Sequence, residues 1–305
     1  HARRYVRVDF GHRCGPAGFD LTVRHHNHFG DFLYGITGNM AFSRMMNRYV
    51  EHTDYGTQYL NWRNNSTNRY NDIWWGYDYG GQFNDLYEIW DAPIMDNLGN
   101  SQLKPGDYCY EDWNGDGVID ENDLHPIKYG AQTSPVLYYG LTLDLSWKGI
   151  DLTAVFQGGA FNNVKYDWYL STPFIYDKNG PDFFFDRWHM EDASADPLDP
   201  RTKWVRGYLP TTSQGSNAMS LNTSTSAASL HEASYIRLKS LELGYTLPKK
   251  WVQKVNASSV RVFTNAYNLL TCTGLKYLDP EHPSSGYGTT YPLICTVNFG
   301  VNIKF

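Results

Sequence analysis

The sequence predicts an all-β protein, an antiparallel transmembrane β-barrel with long extracellular loops. Two observations carry this: strict apolar/polar alternation over long segments, and regular alternation of short and long connections between those segments. From Leu137 to Trp147 every odd position is large and apolar: Leu137, Tyr139, Leu141, Leu143, Leu145 and Trp147. The even positions are Tyr138, Gly140, Thr142, Asp144 and Ser146, and Lys148 follows in phase. Such a run has one oily and one wet face, and it reaches the ~9–11 residues that a tilted strand needs to cross a bilayer.

After a Lys148-Gly149 turn the pattern resumes with Ile150, Leu152, Ala154 and Phe156 against Asp151, Thr153 and Gln157, a hairpin signal. Val297, Phe299, Val301, Ile303 and Phe305 alternate with Thr296, Asn298, Gly300, Asn302 and Lys304. Phe32, Tyr34, Ile36, Met40 and Phe42 do the same, joined by Gly30-Asp31 to a run carrying Phe19, Leu21 and Val23. Weaker strands are expected at 3–10, 232–247 and 258–269. In the last two the phase slips mid-run, which predicts β-bulges. Small residues on the wet face (Gly35, Ala41, Gly140, Gly300) beside Thr, Asn and Asp suit a wide aqueous interior.

Eight strands follow. The connections 30–31, 148–149 and about 248–257 are short; 11–17, 45–133, 161–231 and 270–290 are longer. A membrane meander does this, with tight turns on the periplasmic side and long loops outside. The Ser/Thr-rich stretch 211–229 reads as a loop tip.

Composition agrees. The chain has 305 residues, 26 basic and 32 acidic, and a net charge of −6. That balance opposes nucleic-acid binding, which needs a basic surface for the phosphates. No stretch approaches the ~18–20 apolar residues of a membrane helix. Aromatics reach 16%, which fits aromatic girdles or a carbohydrate-facing surface. Cys14, Cys109, Cys272 and Cys295 lack metal-type spacing, leaving free thiols or one or two disulfides. Position 1 is His and a strand-like pattern starts almost at once, so the chain reads as the later part of a longer one.

The sharpest motif is Asp112-Trp113-Asn114-Gly115-Asp116-Gly117-Val118-Ile119-Asp120-Glu121-Asn122-Asp123. It matches a calcium loop, D-x-[DN]-x-[DN]-G with an acid at position twelve. Asp112, Asn114 and Asp116 would give side-chain oxygens, Val118 its carbonyl, and Asp120 a direct or water-mediated ligand. Asp123 would close the shell. The expected ion is a structural Ca2+ that stiffens a long loop. A DG-rich turn held by Asx hydrogen bonds is the plainer alternative.

The blocks that follow one another here have a familiar order. They are Trp75-Gly76-Tyr77, Gly81-Gln82-Phe83, Pro105-Gly106-Asp107, the calcium-type run, Tyr139-Gly140-Leu141 and Phe156-Gln157-Gly158. Tyr235-Ile236-Arg237-Leu238-Lys239, Leu243-Gly244-Tyr245, Asn268-Leu269-Leu270, Asp279-Pro280-Glu281 and the closing strand ending in Phe305 complete the set. Over about 75–305 this resembles the C-terminal portion of the barrel of a SusC/RagA-type TonB-dependent outer-membrane transporter.

The resemblance implies a plugged barrel of the 22-stranded class, placed in the bacterial outer membrane and in contact with lipid. It implies import of oligosaccharide, glycan or oligopeptide cargo, with a SusD-like surface lipoprotein as lid and TonB as energy source. The plug, the TonB-contacting segment and the early strands would precede His1, and this chain would complete the wall with them. Residues 45–133 and 161–231 would be extracellular loops meeting lid or cargo. Phe305 matches the family's terminal aromatic.

Other constellations are weaker. His25, His26 and His28 could bind a transition metal, but His25 and His28 point to opposite faces of a strand. Trp74-Trp75, Trp168-Tyr169 and Phe183-Phe184-Phe185 could stack on sugars or form small loop cores. Asp182, Asp186, Glu191 and Asp192 could pose as a glycosidase pair, yet no hydrolase motif accompanies them, and no enzyme is expected. The competing reading is a secreted, calcium-clamped carbohydrate-binding or carbohydrate-active β-sandwich, in which Leu145 and Ile303 would lie between two sheets. A self-contained small barrel is a third.

Overall fold

A computed structural model describes residues 5–7, 16–96, 98–130, 134–166, 168–172, 179–212, 221–253, 256–281, 291 and 293–305. Eight antiparallel strands form one sheet in chain order: Tyr5–Arg7, Pro16–Phe29, Phe32–Asn47, Leu137–Trp147, Ile150–Ala160, Tyr235–Thr246, Ser259–Thr273 and Thr296–Lys304. A two-residue strand, Arg69–Tyr70, pairs beside the far end of Phe32–Asn47. The predicted strand at 3–10 is seen over Tyr5–Arg7, and its remainder lies outside the described residues.

Register gives each face a single character. Phe29 pairs with Phe32, Phe32 with Trp147, Trp147 with Ile150, Ile150 with Tyr245, and Tyr245 with Val262. Partners across a ladder share a face, so one row of rings and branched chains crosses six strands beside the tight turns. Farther along the same face are Ile36, Leu143, Ala154, Leu241, Ala266 and Val297. The opposite face pairs Gly35 with Asp144, Asp144 with Thr153, Thr153 with Glu242, and Glu242 with Asn265. Its polar groups bond across strands, as from Thr153 Oγ1 to Asp144 (2.9 Å) and Asn298 Nδ2 to Asn265 (3.1 Å). At Gly300 an added Cβ would run into the Phe263 ring, so the missing side chain is the space that ring occupies.

No second sheet covers the apolar face among the described residues. Ile303 is half exposed and Phe299 85% exposed. The β-sandwich reading is therefore overturned, because its oily face would need a partner sheet about 10 Å away. Both edges of the eight-stranded path stay open, so the described strands are a wall segment and do not close on themselves. Among the described residues no helix is long and apolar enough to cross a membrane.

The expected bulges appear at Lys239 as register shifts in both neighbouring ladders: Val155 pairs with Ser240 and Phe156 with Leu238, so Lys239 is skipped on that side. Leu238 pairs with Leu270 and Ser240 with Tyr267, so Lys239 faces the two residues Asn268 and Leu269. Asn268 adopts φ 53°, the left-handed conformation that lets the extra residue fit. Beyond the bulge the ladder continues to Tyr235–Thr273, carrying the strand past its expected end at 269. Tight turns at 30–31 and 148–149 and the short connection 247–258 close one end. The long segments 48–136, 161–234 and 274–295 all leave from the other.

Candidate functional site: the loop assembly above the wall

The first long loop builds its own core. A helix, Leu86–Asp91, is started by Asp85, whose carboxylate accepts from the amides of Tyr87 and Glu88 (2.9 and 3.0 Å). Its Leu86 and Ile89 turn into a cluster with Phe83, Met95, Leu103, Tyr108, Tyr110 and Ile119. Burying these side chains contributes roughly 1.5–3 kcal/mol apiece, which holds a segment that has no barrel strand beneath it.

The second loop is bonded onto the first. The Tyr77 amide donates to the Thr225 carbonyl (2.9 Å), the Tyr108 amide to Asn222 Oδ1 (2.8 Å) and the Tyr110 hydroxyl to the Leu221 carbonyl (2.6 Å). Asp107 is fully buried and accepts from Thr211 Oγ1 (2.7 Å), Asn222 Nδ2 (2.8 Å) and the Lys104 amide (2.8 Å). Burial pushes its carboxyl pKa up against those hydrogen bonds. Gly106 has φ 92°, and a Cβ there would strike the Trp188 ring from the second loop. Residues 221–229, in the stretch 211–229 that reads as a loop tip, are thus packed on the first loop.

The third loop is held by charge. Arg237, on the polar face of its strand, donates to Asp279 (2.7 Å) and Glu281 (2.5 Å), and Lys239 reaches Glu281 at 2.9 Å. Desolvation opposes ionisation of Asp279, yet the Glu281 amide and Arg237 outweigh it and hold the pKa below the usual carboxylate value. Phe183 of the second loop stacks on Tyr277 of the third at 4.3 Å. Where these loops meet Tyr108 of the first lies a cavity of about 760 Å³, lined by Lys165, Tyr166, Asp186, Tyr208, His231 and Tyr277 among others. Nothing in the sequence spacing marks it, since its walls come from three loops.

The calcium-type loop is folded by its own Asx bonds. Asp112 accepts from the amides of Gly115 (2.7 Å) and Gly117 (2.6 Å), and Asp116 from Val118 (2.9 Å). Asn114 Oδ1 accepts from the Asp116 amide (2.9 Å). The bond from Gly117 is the main cause holding the Asp112 carboxyl below its ordinary pKa. Asp120 begins the short turn Glu121–Asp123 and accepts from the Asn122 amide (2.6 Å). Asp123 is buried and accepts from the amides of Trp113 (2.9 Å) and Asp120 (2.8 Å). The donors are all oxygens on one tight loop, which is the chemistry calcium takes. Among the described residues no three His, Cys, Asp or Glu side chains stand together as a metal-holding group, and the oxygens here face backbone amides. Gly117 and Ile119 exchange backbone bonds with Ile94 (2.9 and 2.8 Å), tying the loop to the first loop's core.

The remaining candidates divide. His25 lies on the apolar face, 3.1 Å from the Tyr34 hydroxyl, while His26 and His28 take the polar face, so the three are not brought together. Trp75 packs edge-on to Trp62 (5.3 Å) under Arg69 (5.0 Å), a local core. Phe184 is buried, Phe183 lines the cavity and Phe185 is exposed. The side chains of Trp168 and Tyr169 lie outside the described residues. Asp186 accepts from the Tyr208 amide (3.2 Å) across the second loop, and Asp192 accepts from the Ser194 amide (2.9 Å) in a local turn. Cys109, Cys272 and Cys295 are free thiols; Cys14 lies outside the described residues.

No protein-family model matches the chain. In sequence it is 23% identical over 240 residues to TonB-dependent receptor P3 of Formosa agariphila, covering 74% of this chain and 22% of that protein. It is 27% identical over 209 residues to TonB-dependent receptor P26 of the same organism (64% and 19%). It is 26% identical over 203 residues to TonB-dependent receptor SusC of Bacteroides thetaiotaomicron (66% and 18%). The chain therefore spans about a fifth of the length of these relatives. In fold it matches the RagAB peptide transporter with a TM-score of 0.62 at 18% identity, over 95% of this chain and 29% of that one. The same importer in its open-open state gives 0.62 at 20% identity, over 95% and 28%. An oily outer wall, a wet inner wall and loops gathered at one end are what these relatives' fold requires of a barrel part. In sequence and in fold, this chain is similar to part of the β-barrel of SusC/RagA-type TonB-dependent transporters of the bacterial outer membrane.

Proposed function

We propose that the chain serves active import of a nutrient, an oligosaccharide or oligopeptide, as the loop-bearing part of the barrel wall. The observation that carries this is the pairing of two unlike faces on one wall with a three-loop body above it. The apolar face meets lipid, the Asp, Asn, Glu and Arg face lines a wet passage, and the loop body holds a ligand-sized cavity at the entrance. A SusD-like lipoprotein as lid and TonB as energy source are part of the proposal; the RagAB and SusC likenesses support it. This chain's own share is to hold lipid apart from water, to fix the loops and to present their cavity; the energised step belongs to other parts of the transporter. The test is uptake by cells carrying the complete transporter gene or its deletion, with and without TonB. Loss of growth on one glycan or peptide mixture, matched by loss of TonB, supports the proposal. Undiminished uptake, or recovery of the protein in the soluble fraction, would sink it.

We further propose that Ca2+ binds Asp112, Asn114, Asp116, Val118, Asp120 and Asp123, as the motif's spacing supports, and stiffens the first loop.

A further inference from the structure

The cavity has an electrostatic imbalance. Among the described residues, two lysines, Lys165 and Lys276, line it with one carboxylate, Asp186, which already accepts the Tyr208 amide at 3.2 Å. Lys165 Nζ reaches only the Thr225 hydroxyl, at 3.4 Å, and makes no ion pair among the described residues. Burial pushes its ammonium pKa down, and among the described residues no carboxylate offsets that burial. Lys128 adds charge from behind: its Nζ donates to the Leu230 carbonyl (3.3 Å), and Leu230 is the ladder partner of Lys165. The neighbouring His231 lines the cavity without adding a charge, since burial first and Lys128 second push its pKa down to about 4.

A half-buried ammonium without a counter-ion is costly, and sites that keep one are disposed to receive an anion. The rest of the wall says what else the anion's carrier presents. Tyr166 lies face to face with His231 at 3.9 Å, and Phe183 with Tyr277 at 4.3 Å. Ring faces carry partial negative charge and suit the weakly positive C–H face of a pyranose. An extended peptide is held chiefly by strand-edge hydrogen bonds. Here rings, hydroxyls and lysines form the wall.

We propose that this cavity is a cargo subsite for an acidic sugar, a pyranose bearing a carboxylate or sulfate, with Lys165 pairing the anion and Tyr277 giving a stacking face. This deepens the import reading and rests on it for the word cargo; binding itself is measurable without transport.

The experiment is calorimetric titration of the complete transporter in detergent with trigalacturonate, its methyl ester, a sulfated galactose disaccharide and triglutamate. Trigalacturonate or the sulfated sugar is expected to bind about tenfold or more tighter than the ester, the effect of one charge-assisted hydrogen bond. Lys165→Met should abolish that preference and Lys165→Arg keep most of it. Tyr277→Ala, at a site 59% exposed and so safe for folding, should weaken every saccharide. Heat-modifiable migration on a gel checks that each variant is folded. Equal binding of acid and ester, equal or tighter binding of triglutamate, or no binding of either acidic sugar overturns the inference. A transporter that imports a neutral glycan but fails these titrations loses this inference alone; one that imports nothing loses the import reading.

Discussion

Arg237 Nη2 and Asp279 Oδ1 lie 2.7 Å apart with their side chains 3% and 6% exposed, so a wall strand and the third long loop share a buried ion pair. Glu281 adds a second acceptor, and Lys239, at the bulge, reaches the same carboxylate. Arg237 and Lys239 stand two apart in the strand with Leu238 between them, and both reach this one loop.

Removing Arg237 should therefore cost more than a surface pair would. Arg237→Met takes the guanidinium from Asp279 and Glu281 and leaves Lys239 as the one cation bonded to the pair among the described residues, and a broken buried pair costs about 3–5 kcal/mol. Thermal unfolding in detergent should shift down, and residues 274–281 should become protease-sensitive first. An unchanged melting temperature would mean the pair adds nothing net.

The two wall faces predict opposite responses to the same substitution. Leu143 pairs with Ile36 and Ala154 on the apolar face, so Leu143→Arg should destabilise by ~2–4 kcal/mol near the bilayer midplane. Thr142 pairs with Thr37 and Val155 on the polar face, and Thr142→Arg should cost well under half as much. Urea titration in lipid vesicles measures both. Equal costs would show that the faces are wrongly assigned.

His231 gives the loop body a pH dependence whose sign can be worked out. Its pKa falls from 6.5 to about 4 on folding, because burial and Lys128 disfavour the charged ring stacked on Tyr166. The unfolded loop binds the extra proton between those values, so this stabilisation is complete above pH 6.5 and lost as pH falls toward 4. The amount is on the order of 1–2 kcal/mol once residual solvent exposure is discounted. Limited proteolysis of 161–234 should rise between pH 7 and 5, and His231→Phe, which keeps the stack, should flatten that rise. A variant with the same pH profile as the parent would assign the effect elsewhere.

Chelation tests the proposed calcium. Removing Ca2+ should raise cleavage within 105–125, and Asp112→Ala should mimic chelation while leaving the barrel's heat-modifiable migration intact. Because Asx bonds already fold the loop, the change expected is in cleavage rate, with the fold retained. Identical cleavage with calcium and with chelator would leave the loop metal-free.

The strands were legible in the sequence because an outer-membrane wall imposes a period of two for its whole height. Leu137 to Trp147 and Val297 to Ile303 each show it without interruption, and the phase slip around Lys239 marked the bulge. The helix Leu86–Asp91 and the eight-residue loop core carry no comparable period, since they answer to neighbours distant in the chain: Tyr110 bonds Leu221, 111 residues away. Arg237 did leave a signal, a charge in phase with the wet face followed much later by Asp279-Pro280-Glu281, but only folding brings the two together. The cavity left none. What the sequence alone determined is which residues of each ribbon share an apolar face and which a polar one, because adjacent side chains are forced to opposite faces. Which loops touch, and that Lys165, His231 and Tyr277 share one hollow, was decided by tertiary structure, because contacts between separate loops are set by the packing of whole segments and by no local period.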